Sequence, residues 1–214
     1  MTDAASPAPH AVRVHRPTWL WAGALLAGSV VPSLLGGVAA GQLWAALARD
    51  ILFFAAMLLF ALGRDSVTAR RPLGTIALIV FGAFQLAFDV LWLFVAPGGP
   101  EGSLGRIFFP VLVAWPYAYL AAGILATVQI ARAGVLLGRW RWVPLAALCV
   151  AVGWQIVLMA ALSLEPASVQ LVVALTGLGN IVACVGAGVA AIVLSTVPRE
   201  HVEAPAVPVF PAEG

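Results

Sequence analysis

Leu73-GTIALIVFGAFQLAFDVLWLFV-Ala96 is long and apolar enough to cross a bilayer, yet it carries Asp89 and, one helical turn earlier, Gln85. A spanning helix needs about 20 apolar residues. A carboxylate within hydrocarbon costs about 2.5–3.5 kcal/mol on insertion scales, so it is expected to be paired and turned against protein. This stretch therefore places the chain in a membrane and points Asp89 toward the inside of a helical bundle.

Composition agrees. Of 214 residues, 63% are hydrophobic and 9% charged, with a mean hydropathy of +1.04. Soluble domains carry roughly 25% charged residues. The fold class expected is an all-α integral membrane protein, a six-transmembrane-helix bundle of three antiparallel hairpins with both termini cytoplasmic. Every basic residue other than histidine is arginine, and alanine and glycine abound. That usage fits a GC-rich bacterial genome, and a helical bundle of this kind is expected in the cytoplasmic (inner) membrane. A net charge of +2 gives no electrostatic footprint for nucleic acid. Cys149 and Cys184 both fall within predicted spans and read as buried free thiols.

Working outward from Asp89, the preceding apolar run Ile51–Gly63 reaches only about 20 Å at 1.5 Å per residue. Its helix must begin near Gln42, which draws Arg49 and Asp50 below the interface. Before it, Pro17 opens a span over 18–38, with Trp19 and Trp21 suited to headgroup level and Pro32 as a kink. Residues 1–40 have a second reading, a cleaved signal peptide ending near Val38-Ala39-Ala40. Beyond Pro97-Gly-Gly-Pro100, a fourth span covers 107–131, broken by Pro110 and Pro116. The fifth runs over 144–164 and the sixth over 169–197. Spans two and three are 42–63 and 73–96. The chain thus divides into a disordered tail 1–16, a transmembrane domain 17–197 and a disordered proline-rich tail 198–214. With six spans, Arg13, Arg16, Arg64, Arg70, Arg71, Arg132, Arg139, Arg141 and Arg199 share one side, leaving only Arg49 and Arg106 elsewhere among the 11. Cytoplasmic loops carry the arginine excess, so that side is read as cytoplasmic. Arg16-Pro17, Arg71-Pro72 and Arg141-Trp-Val-Pro144 open the outward-running helices alike, as suits proline at a first helical position.

Residue counting puts Asp89, seven before Ala96, and Arg49, seven after Gln42, both roughly 10 Å below the outer surface. An Arg49–Asp89 ion pair is expected, with Asp50 turned to a different face. The third span shows a stripe at helical spacing, Thr75, Leu78, Gly82, Gln85, Asp89 and Trp92. The sixth has Thr176, Asn180, Cys184 and Gly188, a small-residue packing face that could also support a homo-oligomer. Gln155 and Asn180 are expected near the midplane as interhelical polar contacts. Trp115, Tyr117 and Tyr119 flank Pro116 and would seek acceptors such as Asp89 or Gln85. Together Arg49, Gln85, Asp89, Trp92, Trp115, Tyr117 and Tyr119 outline a polar and aromatic cavity in the outer half.

The residues that are missing narrow the chemistry. His10, His15 and His201 all lie in the tails, so haem or histidine-ligated metal has no ligands within the spans and a Ser–His hydrolase lacks its base. Without lysine there is neither a Schiff base nor a P-loop. The expectation is a non-enzyme with no cofactor, whose partners are the bilayer and a small solute or a proton or cation. It would serve small-solute transport or ligand binding around Asp89. The other reading is an accessory membrane component whose polar residues only hold helices together.

Overall fold

In a computed structural model, the structure describes residues 16–36, 42–95, 103–136, 138–164 and 169–196. The described residues are helical with no strand. Among the described residues seven α-helices follow in order: α1 (Pro17–Gly28), α2 (Val30–Gly36), α3 (Gln42–Leu62), α4 (Pro72–Val95), α5 (Ser103–Ala133), α6 (Val143–Leu164) and α7 (Val169–Thr196). A 3₁₀ segment, Gly138–Trp142, leads into α6. Four stretches are long and apolar enough to cross a membrane: Pro17–Leu35, Trp44–Leu62, Pro72–Leu91 and Ala114–Ala133. Of the tails expected at 1–16 and 198–214, all but Arg16 lies outside the described residues.

Proline chemistry accounts for the first interruption. The ring of Pro32 clashes with the carbonyl four residues back and leaves that carbonyl unbonded, so the helix parts near residue 28. It does part there, α1 ending at Gly28 and α2 resuming at Val30. Ser29, 1% exposed, sits in the joint and donates its hydroxyl to the Leu26 carbonyl at 2.7 Å. α3 begins at Gln42, where the membrane thickness requires it. α5 corrects an expectation. Pro110 and Pro116 lie inside one uninterrupted helix of 31 residues and do not break it in two.

The helices close into a ring. α1 packs on α7 and α3, α3 on α4, α4 on α5, and α6 on α7, while α5 and α6 touch only lightly; α2 lies along α3. The adjacency of α3 and α4, on which the pairing of Arg49 with Asp89 depends, is thus present. At the α1–α7 crossing, a Cβ on Gly23 would stand 2.6 Å from the Gly188 carbonyl, and one on Gly188 2.7 Å from the Gly23 carbonyl. Backbones this close require glycine on both sides. Gly188, a candidate for either internal packing or oligomer contact, is committed to packing within the chain.

The apolar core sits at the arginine-rich end. Trp19, Leu26, Met57, Phe60, Val67, Leu78, Ile130 and Ala191 belong to it. Trp19, in the first turn of α1, is 2% exposed and donates its indole N–H to the Asp65 carbonyl in the turn after α3. Arg16, expected in the tail, is also buried, its guanidinium 4.5 Å from the Trp19 ring centre. Large apolar side chains cover the outside of the bundle, among them Trp21, Trp44, Ile51, Leu62 and Ile76. That outside-apolar surface is the arrangement a hydrocarbon solvent stabilises.

Candidate functional site: a buried charge cluster

Two helices running in opposite directions bring the charges together. Arg49 and Asp50 lie two turns into α3 from its start, and Asp89 nearly two turns from the end of α4. Gly82 lets the helices close up, since a Cβ there would stand 2.9 Å from the Met57 Cβ. Arg49 Nη2 then donates to Asp89 Oδ2 at 3.1 Å, and Arg49 Nε donates to Asp50 Oδ1 at 2.7 Å. One guanidinium is shared by two carboxylates.

Asp50 is where the structure departs from the expectation. Instead of turning to a different face from Arg49, it is the most deeply enclosed of the three at 0% exposure, against 34% for the Arg49 side chain and 18% for Asp89. Neighbouring residues in a helix point about 100° apart, which ordinarily keeps them from meeting. Here the long arginine side chain folds back over Asp50. The sequence does hold a signal for this: Asp50 lies seven residues before Met57 and ten before Phe60, both buried, so it continues the core face of α3.

Asp50 Oδ2 is buried without a hydrogen-bond partner among the described residues. The shared Arg49 guanidinium holds the Asp50 and Asp89 carboxylates on the same group. Tyr119 of α5 and Cys184 of α7 stand within electrostatic range of the cluster.

The other expected site residues separate into three groups. Tyr119 packs against α4, its ring stacked on Phe81 at 4.6 Å and 21°. Trp115 faces α4, donating Nε1–H to the Phe84 carbonyl at 3.2 Å with its ring edge-on to Phe84. That contact staples α5 to α4. Tyr117 is 73% exposed on the outside of the bundle and lines no interior cavity. Gln85 is half-buried one turn from Asp89. Trp92, Gln155 and Asn180 belong to helices with a described backbone, but their side chains lie outside the described residues. Cys149, expected to be buried, is exposed, and Cys184 is half-buried.

Two grooves of about 350 Å³ each mark the surface, one lined by Pro110, Val111, Ala114, Trp115 and Ala118, the other by Ala61, Leu62, Arg70, Pro72, Thr75 and Ile76. Neither includes a member of the charge cluster. Of the seven residues expected to line an outer-half cavity, Arg49 and Asp89 are joined by an ion pair, Trp115 bonds to α4 and Tyr117 faces outward. No group of acidic, histidine or cysteine side chains suited to a metal ion occurs among the described residues. Comparison with protein families, curated proteins and solved structures finds no match for this chain.

Proposed function

We propose that the chain is a six-span, multi-pass protein of a bacterial cytoplasmic membrane, both ends on the arginine-rich cytoplasmic side. It binds a proton on the Asp50–Asp89 carboxyl pair and uses it in small-solute transport or ligand binding. The observation that carries this is the second carboxylate. A structural ion pair needs one carboxylate per guanidinium, and even that gains little over apolar packing. A second leaves one negative charge in excess, on a residue with 0% exposure and an unpartnered oxygen. One proton between the two carboxyl groups removes that excess, by the reasoning that applies to any two carboxylates held close. Ionisable groups kept within spans mark proton and ion paths more often than glue.

Infrared spectroscopy on the reconstituted protein tests this. The carbonyl band of a protonated carboxylic acid is expected, lost in Asp50→Asn and titrating when the outer pH is raised. Acid-driven dye response in proteoliposomes should fall in the same variant. A band absent at every pH overturns the reading. The accessory-component reading rests on the close packing of the centre, and it prevails if the band is present but neither titrates nor accompanies any flux.

A further inference from the structure

The turn joining α3 to α4 carries three arginines, Arg64, Arg70 and Arg71, all exposed, against one acid, Asp65. Among the described residues none of the three arginines forms an ion pair; the two ion pairs there both belong to Arg49. Charged turns at helix ends are usually solvated and mobile. This one is pinned. Thr68 is 0% exposed, Ser66 5% and Val67 6%. The Ser66 hydroxyl donates to the Ala61 carbonyl at 2.8 Å and lies 2.9 Å from that of Thr68, which lies 3.0 Å from the Thr75 hydroxyl. The Val67 N–H reaches back to the Phe60 carbonyl at 3.0 Å.

The pinned turn passes through two consecutive left-handed residues that are not glycine, Ala69 (φ 50°) and Arg70 (φ 56°). Each such residue costs about 1–2 kcal/mol. The result is that Arg70 lines the mouth of a groove of about 350 Å³ whose other walls are Ala61, Leu62, Pro72, Thr75 and Ile76. Leu62 is 61% exposed and Ile76 59%, so the groove opens on the apolar outside of the bundle. The groove thus sets Arg70 beside aliphatic side chains of α3 and α4. Thr75 is already engaged by Thr68, which leaves the polar recognition to Arg70.

We infer that this groove holds an anionic phospholipid, its phosphate on Arg70 with Arg64 and Arg71 adding to the local positive field, and one acyl chain along Leu62 and Ile76. A soluble phosphate would match the guanidinium and leave the apolar walls uncovered. A zwitterionic lipid would match the walls and forgo the excess charge. Basic pockets between helices at the arginine-rich membrane face favour anionic headgroups on general electrostatic grounds. The inference does not depend on the proton-binding reading, because it concerns the opposite end of α3 and α4.

The test uses the full chain purified into phosphatidylcholine nanodiscs, titrated with phosphatidylglycerol and read by retained lipid in native mass spectrometry and by melting temperature. Phosphatidylglycerol should be retained and raise the melting temperature, whereas glycerol phosphate without acyl chains should do neither. Arg70→Gln should weaken retention roughly fivefold, the worth of one basic side chain at an anionic surface. Arg132→Gln, at the end of α5, should leave it unchanged. Ile76→Trp, which fills the groove and spares every arginine, should also abolish retention, and it decides the matter if Arg70→Gln fails to fold. Equal retention by wild type and both groove variants overturns the inference. So does an equal response to glycerol phosphate, which would make the site one for free anions. Self-association in pure phosphatidylcholine that Ile76→Trp abolishes would assign the groove to a second copy of this chain and overturn it too.

Discussion

Arg49, Asp50 and Asp89 form a unit in which the members are not equivalent. Removing the guanidinium leaves two carboxylates facing each other without a counter-charge, so Arg49→Gln is expected to cost about 3–5 kcal/mol. Asp89→Asn leaves the 2.7 Å Arg49–Asp50 pair intact, and Asp50→Asn leaves the 3.1 Å Arg49–Asp89 pair. Each should lie within about 1 kcal/mol of wild type. Reversible unfolding from nanodiscs or mixed micelles measures all three. A loss in Asp89→Asn as large as that in Arg49→Gln would show that both carboxylates are needed as charges, against a shared proton. The Arg49–Asp89 contact is legible in the sequence because two depth counts from opposite helix ends agree. The place of Asp50 is not, since rotamer and packing decide whether a long arginine reaches back to its own neighbour. At the other end of α3, Ala69→Gly should raise stability by up to about 1 kcal/mol by relieving a left-handed residue, less the extra chain entropy of glycine. Thermal unfolding checks it.

Helix positions are readable to within a residue or two wherever proline or the hydrocarbon thickness sets an end, as at Gln42, Pro72 and Val143. Proline's effect inside a helix is not readable in the same way. Pro32 parts the first helix at Ser29, where a buried hydroxyl occupies the joint, while Pro110 and Pro116 leave α5 whole. Sequence spacing is the same physics in both cases, and the neighbours that cover a freed carbonyl differ. The glycines of α7 offer a sharper contrast. Gly188→Ala puts a methyl against the α1 backbone and should destabilise by about 1–3 kcal/mol. At Gly186 the space a Cβ would take is open, with nothing within 4 Å of it. Gly186→Ala should therefore be neutral or stabilise by up to about 1 kcal/mol through helix propensity. Unfolding of the two variants side by side decides whether the α1–α7 backbones approach closely enough to demand glycine.

The ring places its apolar core at the arginine-rich end and its charges toward the other, a division that neither end of any single helix reveals. Six spans with both ends on one side predict that a cysteine replacing Arg64 is labelled by an impermeant maleimide only from the cytoplasmic face. One replacing Glu165 should be labelled only from the outside. Both belong in a background lacking Cys149 and Cys184, compared in right-side-out and inverted vesicles. Labelling of the two from the same face would remove the six-span topology, and with it the assignment of the charge cluster to the outer half.

The sequence by itself determined that this is an all-helical protein of apolar helices, and roughly where they begin and end. Hydrophobicity, helix rise and bilayer thickness are properties of a single segment and need no neighbours. It also placed an arginine and an aspartate at matching depth. Only the tertiary structure decided which groups share the centre. Asp50 and Asp89 meet on one guanidinium only because α3 and α4 pack in one rotation about their axes. The same holds for Tyr117 and Cys149, apolar-run residues that the ring turns outward. Which side of a helix faces protein is set by the whole bundle, because in hydrocarbon an apolar residue is at home on either face.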